Sequence, residues 1–94
     1  MTTSPGTRVT VPAGVMFRDL DGEAVLLELD TGRYYGLNET GTRMWHLLRE
    51  HGKVETVLQA LLEEYDVPEE RLRRELLSLV DSLVSQGLLL VDET

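Results

Sequence analysis

Two periodicities divide this chain. Between Val15 and Leu37 apolar residues alternate with polar ones, as in strands, whereas beyond Asn38 they recur at helical spacing. Val15 to Leu20 reads as a strand, with Val15, Phe17 and Asp19 on one face and Met16, Arg18 and Leu20 on the other. Asp21-Gly22 follows, and such a pair favours a two-residue type I′ hairpin because both positions need positive φ. Ala24 to Leu29 is the return strand. Val25, Leu27 and Leu29 share one face and Ala24, Leu26 and Glu28 the other, so a central strand covered on much of both sides is expected. Asp30-Thr31-Gly32 makes a second turn, with Gly32 at the left-handed position, and leads into Arg33 to Leu37 as the third, edge strand. Upstream, Arg8 to Val11 is strand-like and is expected to pair at the margin of a sheet. Pro12-Ala13-Gly14 ends it, and residues 1–7 read as a loose end.

A three-stranded meander needs helices against it. Asn38 suits an N-cap, and the helix it opens runs to about Glu50, turns Met44, Trp45, Leu47 and Leu48 inward, and stops at Gly52. Val54 to Glu64 carries Val54, Val57, Leu58, Leu61 and Leu62 at helical spacing. Pro68, Glu69 and Glu70 mark the start of a third helix, which Gly87 ends, with Leu88 folding back on Leu83. Leu88 to Val91 then forms a short terminal strand or an extended tail. Residues 8–94 make one α+β domain, a three-stranded antiparallel sheet followed by three helices.

On the third helix, Leu72, Leu76, Leu79 and Leu83 fall within about 60° of one another, and Leu77, Val80 and Val84 widen the apolar arc to roughly 160°. Arg74, Ser78, Asp81 and Ser85 lie opposite. Covering a core needs about 100°. The surplus serves either joint contact with the sheet and the second helix, or the wall of a groove.

Charge removes one class of partner. Seventeen acids against nine Lys and Arg leave a net charge of −8, the reverse of a nucleic-acid footprint. A small winged-helix regulator remains the rival on shape alone. From Lys53 to Gly87, however, eight acids face four bases, and Glu69, Glu70, Glu75 and Asp81 would meet phosphate repulsion. With no cysteine, no signal-peptide pattern and no apolar run able to span a bilayer, a cytoplasmic protein without a membrane partner is expected.

Catalytic chemistry finds no foothold. His46 and His51 lie roughly 140° apart on their helix and cannot converge on one metal. Ser78, Ser82 and Ser85 sit on a polar face, and Gly32, Gly36 and Gly41 have neither dinucleotide-binding nor P-loop spacing. No catalytic residue, metal or cofactor is expected.

The stretch LLELDTGRYYGLNETGTRMWHLL resembles the central signature of the PqqD-like proteins, the precursor-peptide recognition elements of ribosomally made, modified peptide pathways. The likeness runs from about Val15 to Val91 and includes the helix start Asp66-Val67-Pro68-Glu69-Glu70; the turn Tyr35-Gly36-Leu37-Asn38 is its specific part. In place of a Tyr-Pro-Glu-Gly segment the chain has Gly32-Arg33-Tyr34-Tyr35, and so is more similar to the stand-alone recognition proteins of lasso-peptide clusters than to the pyrroloquinoline-quinone member. The resemblance implies a winged-helix-like arrangement and a protein, monomeric without its partners, that binds the leader of a precursor peptide. It also implies a transglutaminase-like leader peptidase as the enzyme served, or, in the PqqD-type alternative, a radical-SAM or other modifying enzyme.

The resemblance further places the third helix across the guest from the third strand. An exposed strand edge can take an added strand, its backbone groups setting register and side-chain pockets supplying selectivity. Arg33, Tyr34, Tyr35, Gly36 and Leu37 are then the receiving edge, with at most one of the two tyrosines facing the groove. Leu76, Leu77, Val80 and Val84 become the expected groove wall, and Glu75 and Asp81 the rim that would hold basic leader side chains.

Overall fold

The computed structural model describes residues 7–92, so the expectation for residues 1–6 lies outside the described part. The meander forms where the turns allow it: β2 (Val15–Leu20), β3 (Glu23–Glu28) and β4 (Arg33–Gly36) lie in that order as one antiparallel sheet, after a short β1 (Arg8–Thr10). Asp21 and Gly22 both take positive φ, 54° and 85°, which closes the first hairpin at Leu20↔Glu23. Gly32, at φ 73°, closes the second by donating its N–H to the Glu28 carbonyl. Three helices follow, α1 (Glu39–His51), α2 (Val54–Glu64) and α3 (Glu69–Ser85), and then β5 (Leu90–Asp92).

The start and end of α1 and the end of α3 follow from their residues. The Asn38 side chain accepts from the Gly41 N–H, satisfying a free donor of the first turn of α1. Gly52, left-handed at φ 74°, stops that helix. At the end of α3 the Gly87 N–H bonds to the Val84 carbonyl and the Leu88 N–H to the Leu83 carbonyl, the paired bonds of a Schellman motif, with both leucines buried.

One core results. Ala24 and Leu26 from the sheet meet Met44, Trp45 and Leu48 of α1, Val57, Leu58 and Leu61 of α2, and Leu72, Leu76, Val80 and Leu83 of α3. Phe17 of β2 stands edge-on to Trp45 at 6.0 Å and carries the Arg49 guanidinium 4.2 Å above its ring. His46 hydrogen-bonds Asp19 at 2.9 Å, so α1 is clamped to the first strand of the sheet. No helix among the described residues is long and apolar enough to cross a membrane.

Three expectations need correction. The sheet is covered on one face only: all the core contacts of β3 are made through Ala24 and Leu26, while Met16, Leu29 and Tyr34 on the other face are more than half exposed. β3 is central in strand order but not in burial, because the three helices stack on the same side. β1 joins not this sheet but β5, through Arg8↔Asp92, Val9↔Val91 and Thr10↔Leu90. Thr7, assigned from sequence to the loose end, is instead buried, and its carbonyl accepts from the Val54 N–H at the start of α2.

Candidate functional site

β4 is an edge whose outward backbone groups can be identified. Leu37 donates its N–H to the Ala24 carbonyl, and the register pairs Leu26 with Tyr35 and Glu28 with Arg33. Inward and outward residues alternate in an antiparallel strand, so Arg33, Tyr35 and Leu37 face β3. The N–H and C=O of Tyr34 and Gly36 therefore point away from the sheet, and among the described residues no strand pairs with them. The same alternation sends the Tyr35 side chain to the helix side and Tyr34 to the open face, where Tyr34 is 75% exposed.

Beyond this edge lies a cleft of about 620 Å³. Tyr35, Asn38, Thr40, Gly41 and Met44 form the wall at the junction of β4 and α1, and Tyr65 and Val67 close one end. The facing wall is α3, presenting Arg71, Arg74, Glu75, Ser78, Leu79 and Ser82. Arg33 reaches Gln86 at 3.5 Å, so the start of β4 lies beside the end of α3.

A hydroxyl holds the far end of β4 in place. Thr42, buried in α1, accepts the Ala24 N–H at 2.7 Å and reaches the Leu37 carbonyl at 3.5 Å, so it is inserted into the last rung between β3 and β4. That residue was not identified from sequence; an isolated Thr in the first turns of a helix carries no signal of its own. Arg43 forms a two-pronged pair with Glu64 at 2.8 and 2.6 Å, tying α1 to the end of α2. The hydrogen bond from Arg43 holds the Glu64 carboxyl below the usual carboxylate range, and the same bond raises the Arg43 guanidinium.

The residues proposed from sequence separate into distinct places. Tyr35 and Glu75 line the cleft, and Arg33, Tyr34 and Gly36 lie along the strand that borders it. Leu37 is buried beneath the turn into α1. Leu76 and Val80 are wholly buried in the core and can form no wall. Leu77 and Asp81 border a shallower depression on the outer side of α3 with Glu70 and Arg73, and Val84 packs against the core without lining the cleft. The wheel gives the reason: taking Leu72 as zero, the buried residues centre at roughly 35°, Leu77 and Val84 fall on one flank near 130°, and the cleft residues occupy the other, from about 200° to 340°. The apolar surplus and the cleft are on opposite flanks. Leu79 is the apolar residue of α3 that reaches both core and cleft.

The comparisons agree with this architecture. The family described as coenzyme PQQ synthesis protein D (PqqD) matches residues 23–89. Among solved structures, TbiB1 in complex with the TbiA(beta) leader peptide is 35% identical, with a TM-score of 0.80 over 85% of this chain and 93% of that one. A lasso peptide synthetase B1 complexed with the leader peptide is 28% identical, with a TM-score of 0.79 over 88% of this chain and 98% of that one. A search of curated proteins finds no match.

Proposed function

The chain belongs to the PqqD family, and from that premise we propose that it binds the leader segment of a ribosomally made precursor peptide as a strand added to β4. The leader lies between that edge and α3 and is presented to a transglutaminase-like leader peptidase of a lasso-peptide pathway, in the cytoplasm. The protein itself is an adaptor without catalysis. One observation carries this reading: among the described residues the outward N–H and C=O groups of Tyr34 and Gly36 have no strand partner, and Tyr35 between them lines a cleft whose facing wall is α3. Two similar proteins whose complexes hold leader peptides support it.

The physics suits an adaptor. Ladder bonds along the edge are blind to sequence and fix the guest's register and direction, while alternate guest side chains enter the cleft and are read there. Binding by strand addition leaves the rest of the precursor outside the domain, where an enzyme can reach it. Calorimetric titration with a synthetic leader peptide of a lasso-type precursor should give saturable one-to-one binding, weakened by N-methylation at alternate leader positions. Equal tolerance of N-methyl groups at every position would refute strand addition, and no binding at all would refute the leader-binding reading.

A further inference from the structure

We propose that the cleft selects a leader with an acidic side chain, held by Arg71 and Arg74 of α3, an inference that rests on the leader-binding reading above. The chain as a whole carries a net charge of −8, yet the charged side chains lining the cleft are Arg71, Arg74 and Glu75, which leaves an excess of positive charge. This proposal differs from the expectation that Glu75 and Asp81 would hold basic leader residues. Glu75 is engaged by Arg71 at 3.4 Å, through a long bond between exposed groups that leaves most of the guanidinium's donors open. Asp81 lies in the adjoining depression, which shares Arg74, Ser78 and Ser82 with the cleft, and does not itself line the cleft.

Arg74 makes no hydrogen bond or ion pair with the described residues, whereas its neighbour Arg73 is tied to Glu69. Arg71 and Arg74 are three residues apart on one helix, so their side chains stand side by side and can converge on one carboxylate. The remaining polar groups of that wall, Ser78 and Ser82, are hydroxyls that carry no charge preference. Because Arg33 meets Gln86 just past the C-terminal end of α3, whereas Arg71 and Arg74 lie near its start, the two guanidiniums stand toward the Gly36 end of β4. The acidic residue therefore occupies the part of the guest that passes Gly36, and its neighbour two positions along the strand faces Tyr35 and Leu79.

A phage-displayed library of randomised linear peptides tests this without a cognate leader in hand. Selection on the wild-type domain should enrich peptides with Asp or Glu at a fixed offset from an apolar position, and their binding should be lost on Tyr34→Pro. Selection on Arg71→Glu/Arg74→Glu, whose exposed side chains leave the core untouched, should enrich Lys or Arg at that offset. Replacing the acid of a selected peptide by its amide should weaken binding to wild type about fivefold at low salt, and the difference should vanish near 1 M salt, where screening is nearly complete. If wild type and the double variant enrich the same edge-dependent peptides with no charged position in common, the carboxylate proposal fails and the leader-binding reading stands. If neither protein enriches any edge-dependent peptide, both fail.

Discussion

Proline at adjacent positions of β4 separates the edge from the fold. Tyr34 and Tyr35 are the same residue with opposite backbone directions: the Tyr35 N–H faces Leu26 in β3, and that of Tyr34 faces outward. Tyr34→Pro removes a donor that no described residue uses, on an edge strand where proline is tolerated, and costs an exposed side chain. Its melting temperature should stay close to that of wild type. Tyr35→Pro instead removes a ladder bond to the fully buried Leu26 and leaves a carbonyl there unpaired, which together cost about 2–4 kcal/mol. For a domain of this size that is a fall of at least about 10 °C in melting temperature. Leader binding should show the opposite order of sensitivity. Losing the guest's bond to Tyr34, with the guest carbonyl left facing a proline, should cost about 1.4–2.8 kcal/mol, or roughly ten- to a hundredfold in Kd by calorimetry. Tyr34→Ala keeps the backbone donor and should lose far less. Wild-type affinity in Tyr34→Pro, or equal destabilisation by the two prolines, would refute the assignment of the outward groups.

Three further substitutions probe the supports of the site. Thr42→Val keeps the shape but leaves the Ala24 N–H without its buried acceptor, so it should lower stability by about 1–3 kcal/mol in urea unfolding, with Thr42→Ser retaining most of it. Asn38→Ala should cost about 1 kcal/mol through loss of the α1 cap, and Asn38→Asp should restore it. Arg43→Met should cost no more than about 1 kcal/mol, because the pair with Glu64 lies at the surface. The folded-state pKa of Glu64 is depressed, so this contribution is present at neutral pH and disappears as pH falls through that lowered value, while Arg43 stays charged throughout. Unfolding curves of wild type and Arg43→Met should therefore converge in acid; a gap that persists there would contradict the assignment.

Local chemistry made much of the fold legible. Asp21-Gly22, Gly32, Gly52 and Gly87 each take the positive φ that their neighbours in sequence suggest, and the Leu83–Leu88 closure follows from the same rule. The edge position of β4 could be read too, since a third strand passing directly into a helix has no later strand to pair with in a simple meander. What could not be read depends on how elements rotate against one another. An arc of roughly 160° on α3 has two flanks, and periodicity does not say which one turns toward β4. The apolar flank with Leu77 and Val84 was the natural expectation for a binding wall, yet the structure turns Arg71, Arg74 and Ser78 to the cleft. Likewise, alternating apolar residues on both faces of β3 are compatible with two covered faces, and only the stacking of all three helices on one side shows that Val25 and Leu27 are partly open. The pairing of β1 with β5 joins the two ends of the described chain, a separation at which local patterning carries no information.

Amide hydrogen exchange with and without the leader tests strand addition most directly. The sheet has two edges, and on β2 the alternation set by the Leu29–Gly14 bond turns the N–H groups of Val15, Phe17 and Asp19 outward, just as it turns those of Tyr34 and Gly36 outward on β4. Saturating leader should slow exchange at Tyr34 and Gly36 in proportion to its occupancy and leave Phe17 and Asp19 unchanged. Protection at Phe17 and Asp19 instead, or a leader that binds tightly without protecting Tyr34 or Gly36, would contradict the account.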